Sequence, residues 1–329
     1  MSRSVPGAAV ATPSEAVMRK QLAPFQRPDR ARSIWQLVNS ILPYAALWVG
    51  AWYAMQASYW LALPLLVVAA GFMIRIFIIF HDCGHGSFFR SRKANDFWGT
   101  VTGILTFTPY HYWRASHARH HATSANLDKR GFGDVWMMTV NEYKNASKFE
   151  RLKYRLYRNP LVMFLLGPLF ISLLTHRFVR VKANRVERWS VYWTNLGILV
   201  IAAGINWAIG WKAYLAIQLP IMFVAQVMGI WLFYVQHQFE GVYWAPQEDW
   251  DFVAASLHGG SYYELPKVLN WFTGSIGYHH VHHLNSRIPN YYLAKCHNEV
   301  KELQVAPMVN LWTGRSEERR VGKECRSRW

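Results

Sequence analysis

Residues 59–80 (YWLALPLLVVAAGFMIRIFIIF) constrain this chain more than any other stretch, because they are apolar almost throughout and run straight into His81-Asp82-Cys83-Gly84-His85. At a rise of about 1.5 Å per residue the run reaches about 33 Å as a helix, enough for a hydrocarbon core of about 30 Å. Inside lipid each backbone polar group needs a partner within the segment, so the run has to be helical. It therefore carries two histidines, four residues apart and on one helical face, to a membrane boundary.

Two further clusters repeat the theme, His117-Ala118-Arg119-His120-His121 and His279-His280-Val281-His282-His283, and the three windows hold nine of the 14 histidines. Neutral imidazole is the commonest metal ligand at neutral pH, and residues three and four apart share one side of a helix. Isolated histidines are ordinarily core or surface residues, and His111, His176 and His297 are read that way. His258, on the same side as the clusters, is a lesser candidate ligand. A merely compositional tract would lack the spacing. Three repeats of nearly one pattern point to a metal site, and eight or nine imidazoles exceed what one ion can take, so the pattern implies two. His237, in Gln236-His237-Gln238 at the end of another apolar run, enters the same layer and joins the candidate ligands.

Residues 37–55, 190–210 and 213–235 are the other expected spans. The links at 56–58 and at Trp211-Lys212 are so short that each pair must form an antiparallel hairpin. The apolar runs 97–108 and 161–175 are too short to cross. With four spans, all three clusters and both ends of the chain fall on one side; a fifth would separate the third cluster from the others. The formal charge of +17 bears on orientation. Lys and Arg concentrate in the N-terminal arm, in 114–158 and in 177–188, all on that same side, which makes it cytoplasmic. Because these charges follow loops rather than one recognition element, nucleic acid is excluded as a partner. A metal transporter would line its spans with polar groups. Only Arg75, Asn195, Asn206, Gln218 and Gln226 are found there, and the histidines cluster outside. The three scattered cysteines form no disulfide framework or thiolate site.

The expected fold is thus an all-α integral membrane protein: four transmembrane helices and a cytoplasmic helical cap carrying a histidine-rich di-metal site. Residues 1–34 are expected as a basic, poorly ordered arm without a secretory signal, with a short amphipathic piece at 33–38 on the membrane surface. Residues 35–312 form the membrane domain. The abruptly basic 313–329 read as an artefactual tail, such as a truncated reading frame or fusion scar. Histidine-only ligation is unlike structural zinc, but imidazole suits zinc, copper, iron and nickel alike. A paired redox metal at a membrane surface can activate dioxygen, which zinc cannot. Residue chemistry alone therefore reaches a membrane di-metal oxidase acting on a lipid.

The boxes HxxxH, HxxHH and HxxHH, with their flanks HDCGHGSFF (81–89), HARHHATSANLDKRGFGDVW (117–136), YVQHQFEGVYW (234–244) and IGYHHVHHLNSRIPNYYL (276–293), resemble the membrane fatty acid desaturases. Within that family they look most like the bacterial members of the Δ12 (omega-6) acyl desaturase branch, over roughly 35–312. The resemblance implies two iron ions held by His81, His85, His117, His120, His121, His237, His279, His282 and His283. His280 fills a variable position of its box and stands in reserve. The implied reaction removes two hydrogens from adjacent methylenes, leaving a cis double bond and reducing dioxygen to water. Electrons come from ferredoxin or a cytochrome b5-like donor. The acyl group rides on a lipid, an acyl carrier or coenzyme A, and the implied location is the bacterial inner membrane. An unactivated C–H bond offers no handle for acid–base catalysis, so the protein's task is ligation and the positioning of the chain. Asp82, Asp128 and Asp134 are expected to hold the free N–H groups of the ligands, though Asp128 and Asp134 also suit turns of a glycine-rich loop. The same ligands could serve a membrane hydroxylase or a carotenoid ketolase. Ala125 stands where this branch often has glycine, and His111 where an aromatic is usual.

Overall fold

The computed structural model describes residues 13–131 and 133–313, so the tail beyond Thr313 and the first twelve residues lie outside the described part. Helices dominate: α1 (Glu15–Leu22), α2 (Arg30–Ala57), α3 (Tyr59–His85), α4 (Arg92–Leu105), α5 (Tyr110–Thr123), α6 (Val140–Asn145) and α7 (Lys148–Tyr157) come first. After a π-helical turn at Leu161–Leu166 follow α8 (Gly167–Leu173), α9 (Arg185–Ile209), α10 (Trp211–His237), α11 (Phe252–His258), α12 (Lys267–Phe272), α13 (His279–Leu284) and α14 (Asn290–Glu299).

Three helices are long and apolar enough to cross a membrane, namely α3, α9 and α10, and they contain the expected spans 59–80, 190–210 and 213–235. A fourth candidate is the pair Lys148–Tyr157 and Leu161–Arg177, bent by 59° at its break. Helix α2 contains the expected span 37–55 and is 28 residues long, but its polar and aromatic residues make it less apolar than those three. It folds back on α3 through the single extended residue Ser58. The hairpin is close because small residues line it: Ala51, Ala62, Ala69 and Ala70 are buried there. Helix α10 closes the bundle, with Tyr44 Oη and Trp48 Nε1 of α2 both donating to Gln218 Oε1. Helix α9, by contrast, is almost unburied along its apolar stretch, and Trp193, Leu199, Val200 and Trp207 point outward.

Three expectations change. The piece at 33–38 is not a separate surface segment but the opening turns of α2, with Ser33 and Gln36 buried. The described part of the expected arm is helical rather than loose. Helix α1 is capped by Ser14 and seats Met18 and Leu22 in a core shared with Leu293, Cys296 and Leu303. Its apolar residues fall four apart, so one face of a short basic helix can still pack. The region after α10, expected as an aqueous cap, also reaches down α3. Phe272 packs on Gly71, and the Arg75 guanidinium lies 3.9 Å over the ring of Trp271 while donating to its carbonyl. Of the two placements open to Arg75, snorkelling to the interface or facing the bundle interior, the structure has the second, against α12. Finally, β1 (Tyr262–Glu264) pairs in parallel with β2 (Met308–Asn310), in register Tyr262 with Met308, and ties the end of the described chain beside the third histidine cluster.

Candidate metal centre

Each histidine cluster is fixed by how its helix starts or stops. Helix α3 ends at His85 because Gly86 adopts φ 70°, and Gly86 and Ser87 N–H close back on Cys83 and Asp82 carbonyls. Ala125, just beyond α5, has φ 60°. This is the left-handed region that glycine enters without strain, so an alanine here is held in a conformation its Cβ disfavours. Helix α13 is buried from His279 to Leu284.

The side chains then converge in two groups. His81, His85, His117, His121 and His282 each offer a nitrogen, all within 4.8 Å of one another; His120, His237 and His283 do the same in a second group. In the first, Nε2 atoms lie 3.0 Å apart for His81 and His117, 3.1 Å for His117 and His121, and 3.0 Å for His121 and His282. In the second, His120 and His237 are 3.2 Å apart, and His279 adjoins them with its Nε2 2.8 Å from that of His237. Two nitrogens about 2.1 Å from one ion and at right angles are about 3.0 Å apart, so these spacings suit shared ions.

The HxxHH spacing follows from helical geometry. His117 and His121 stack one turn apart on one face, while His120 is about 100° round from His121 and faces the other group. His282 and His283 divide in the same way. Each box of this form thereby serves both groups.

The outer ring nitrogens are held from behind. His81 Nδ1 faces Asp82 Oδ1 at 3.2 Å, His120 Nδ1 faces Asp134 Oδ1 at 2.7 Å, and His237 Nδ1 faces the Gly259 carbonyl at 3.2 Å. With Nδ1–H donated outward, Nε2 is left as the lone-pair atom aimed into the cluster. Burial, reinforced by neighbouring imidazoles, holds His117, His121, His279, His282 and His283 well below the ordinary histidine range, so they are neutral at pH 7. Nε2 of His85 and of His283 is buried without a hydrogen-bond partner. A buried polar atom left unpaired is costly, and a cation taking those lone pairs relieves it. An all-imidazole, neutral, inward-facing donor set therefore fits metal ions.

Not every expected residue belongs. Asp128 accepts the Gln247 N–H at 2.7 Å and shapes the loop, so among the three aspartates only Asp82 and Asp134 face histidines. His280 turns away from both groups and pairs with His297 at 3.0 Å, because the residue after His279 lies about 100° round α13. His111, His176 and His258 also lie outside both groups. Two contributors went unread in the sequence. Trp113 stacks on His117 at 4.2 Å, and its i, i+4 spacing on α5 was a usable signal. The Gly259 carbonyl had none. Asp134→Ala is expected to weaken metal binding about 10–100-fold, read by competition with a chromophoric chelator, whereas Asp128→Ala leaves it unchanged.

Membrane-length apolar helices and a buried histidine cluster able to hold metal define the class: a mostly helical protein with candidate membrane spans and a candidate histidine metal centre. Comparison with known proteins narrows this. The profile of the fatty acid desaturase family matches residues 57–313. A "Fatty acid desaturase" of Bacillus subtilis (strain 168) is 50% identical over 296 residues, covering 90% of this chain and 84% of that protein. The "sn-1 oleoyl-lipid 12-desaturase" of Synechocystis sp. is 27% identical over 74% of this chain and 69% of its own length. The "sn-1 acyl-lipid omega-3 desaturase (ferredoxin)" of Nostoc sp. is 26% identical over 89% and 80%. The chain belongs to the fatty acid desaturase family, whose members are oxidoreductases.

Proposed function

We propose that this protein introduces a cis double bond at the Δ12 (omega-6) position of an acyl chain carried by a membrane lipid, using two iron ions, dioxygen and an external electron carrier. The observation that carries this reading is the meeting of all three histidine boxes in two adjoining imidazole groups at the ends of apolar helices. Two relatives named as sn-1 oleoyl-lipid 12-desaturases, at 27% and 28% identity, support the regiochemistry and the lipid-bound substrate. A relative named as a ferredoxin-dependent acyl-lipid desaturase supports ferredoxin as the donor.

One iron would be held by His81, His85, His117, His121 and His282, and the other by His120, His237, His279 and His283. When bound, the irons supply the dioxygen activation that breaking an unactivated C–H bond demands. The chain's own part is to orient and to shield. Asp82, Asp134 and the Gly259 carbonyl fix the ring tautomers, while Trp113 against His117 and Phe233 against His120 and His237 cover flanks of the groups. For topology, α2, α3, α9 and α10 are the four spans and 161–177 is re-entrant, which keeps the boxes on one side. The basic loops make that side the cytoplasmic face of a bacterial inner membrane.

Fatty acid profiling after expression in cells rich in monounsaturated acids, with iron and donor present, tests the proposal. The expected product is a new dienoic acid with its second double bond at Δ12. A double bond at another carbon overturns the regiochemistry, and a hydroxylated product overturns desaturation.

A further inference from the structure

We infer that Asn290 is a positioning residue for the first imidazole group, acting on His81 through Asp82; this rests on the two-metal reading above. Asn290 opens α14, more than two hundred residues after Asp82 in sequence, yet its backbone N–H and its Nδ2 both donate to Asp82 Oδ2, at 2.7 and 2.8 Å. That leaves Asp82 Oδ1 for His81 Nδ1. Behind Asn290 stands Gln36 of α2, whose Nε2 donates to Asn290 Oδ1 at 3.0 Å and whose Oε1 accepts from Asn290 Nδ2 at 3.3 Å. Both Nδ2 hydrogens are thus used, one on the carboxylate and one on Gln36, so the amide has only one satisfied orientation. Gln36, Asp82 and Asn290 are all almost wholly buried.

The chain Gln36, Asn290, Asp82, His81 links the first helix of the bundle, the segment after the third histidine box and the end of α3. Its geometry explains why Asp82 can hold a ring so near in sequence. A carboxylate adjacent to the histidine it orients has freedom to rotate away, and two donors on the far oxygen remove that freedom. The N–H donor is also the first free amide of a ten-residue helix, whose positive end favours the carboxylate. Among the described residues nothing comparable backs Asp134, which instead receives the Gly131 N–H at 3.3 Å. The two groups are therefore anchored by different means.

The test uses full-length protein in detergent, stripped of metal and titrated with Co2+, whose visible ligand-field absorption reports each site. Wild type is expected to take up two ions. In Asn290→Ala, affinity should fall about 10–100-fold at one site, the same site that His85→Ala removes, with the other unchanged. The double variant Asp82→Ala with Asn290→Ala should be no worse than Asp82→Ala alone, because both act through one bond. Additive losses, equal weakening of both sites or wild-type binding by Asn290→Ala would overturn the inference while leaving the two-metal reading intact. If wild type binds no Co2+, that reading falls first and this one with it. Should Asn290→Ala lose its helical circular dichroism, Gln36→Leu replaces it. A smaller drop confined to the same site is then expected, and no drop there counts against the inference.

Discussion

Alanine at His282 and alanine at His283 are each expected to abolish product formation, yet each to empty a different one of the two proposed metal sites. These neighbours point into separate groups, His282 towards His81, His85, His117 and His121, and His283 towards His120 and His237. Each variant is therefore expected to hold about one iron per chain where wild type holds about two. Loss of an outer partner of a ligand alone costs about 10–100-fold, so loss of a ligand should lower product formation by at least about a hundredfold. His280→Ala, next in line but paired with His297, keeps both ions and its activity. Iron analysis by mass spectrometry beside fatty acid profiling separates the three outcomes. Were His282→Ala and His283→Ala each to lose both ions, the division into two groups would have no functional meaning.

Gly277→Ala has the largest expected effect on stability. A Cβ at Gly277 would lie 2.3 Å from the Tyr263 carbonyl oxygen, a backbone atom that cannot swing aside. Overpacking of this kind costs about 1–3 kcal/mol. Moving the two segments apart also strains the Tyr263 N–H to Gly277 carbonyl bond of 2.7 Å, which adds about 0.5–1.5 kcal/mol. The displaced segment leads directly into His279, so metal retention should fall along with the unfolding midpoint. Gly229, within α10, has open space where a Cβ would go. Gly229→Ala should hold or raise the midpoint, since alanine is favoured over glycine in a helix by about 0.5–1 kcal/mol. Thermal unfolding of both purified variants decides; an unchanged midpoint in Gly277→Ala contradicts the packing argument.

The long helices and the metal-binding residue types were legible in the amino-acid sequence, because apolar length and 3.6-residue periodicity are local properties. The runs 59–80, 190–210 and 213–235 sit inside α3, α9 and α10. The boxes could be read as metal sites because three- and four-residue spacings fix which side chains share a helical face. Which histidine joins which group was not local. It depends on how α3, α5, α10 and α13 are turned against one another, and only packing sets that rotation. The same holds for Asp134 against Asp128, which are equally plausible in sequence, and one of them faces His120 only because the loop folds over α5. Arg75 found its partner in Trp271, and Asp82 found Asn290, each about two hundred residues away. Local spacing therefore specified the ligands this chain offers, whereas the tertiary structure decided how they are shared between two groups and what holds them, because orientation between helices is encoded in contacts that sequence neighbours do not make.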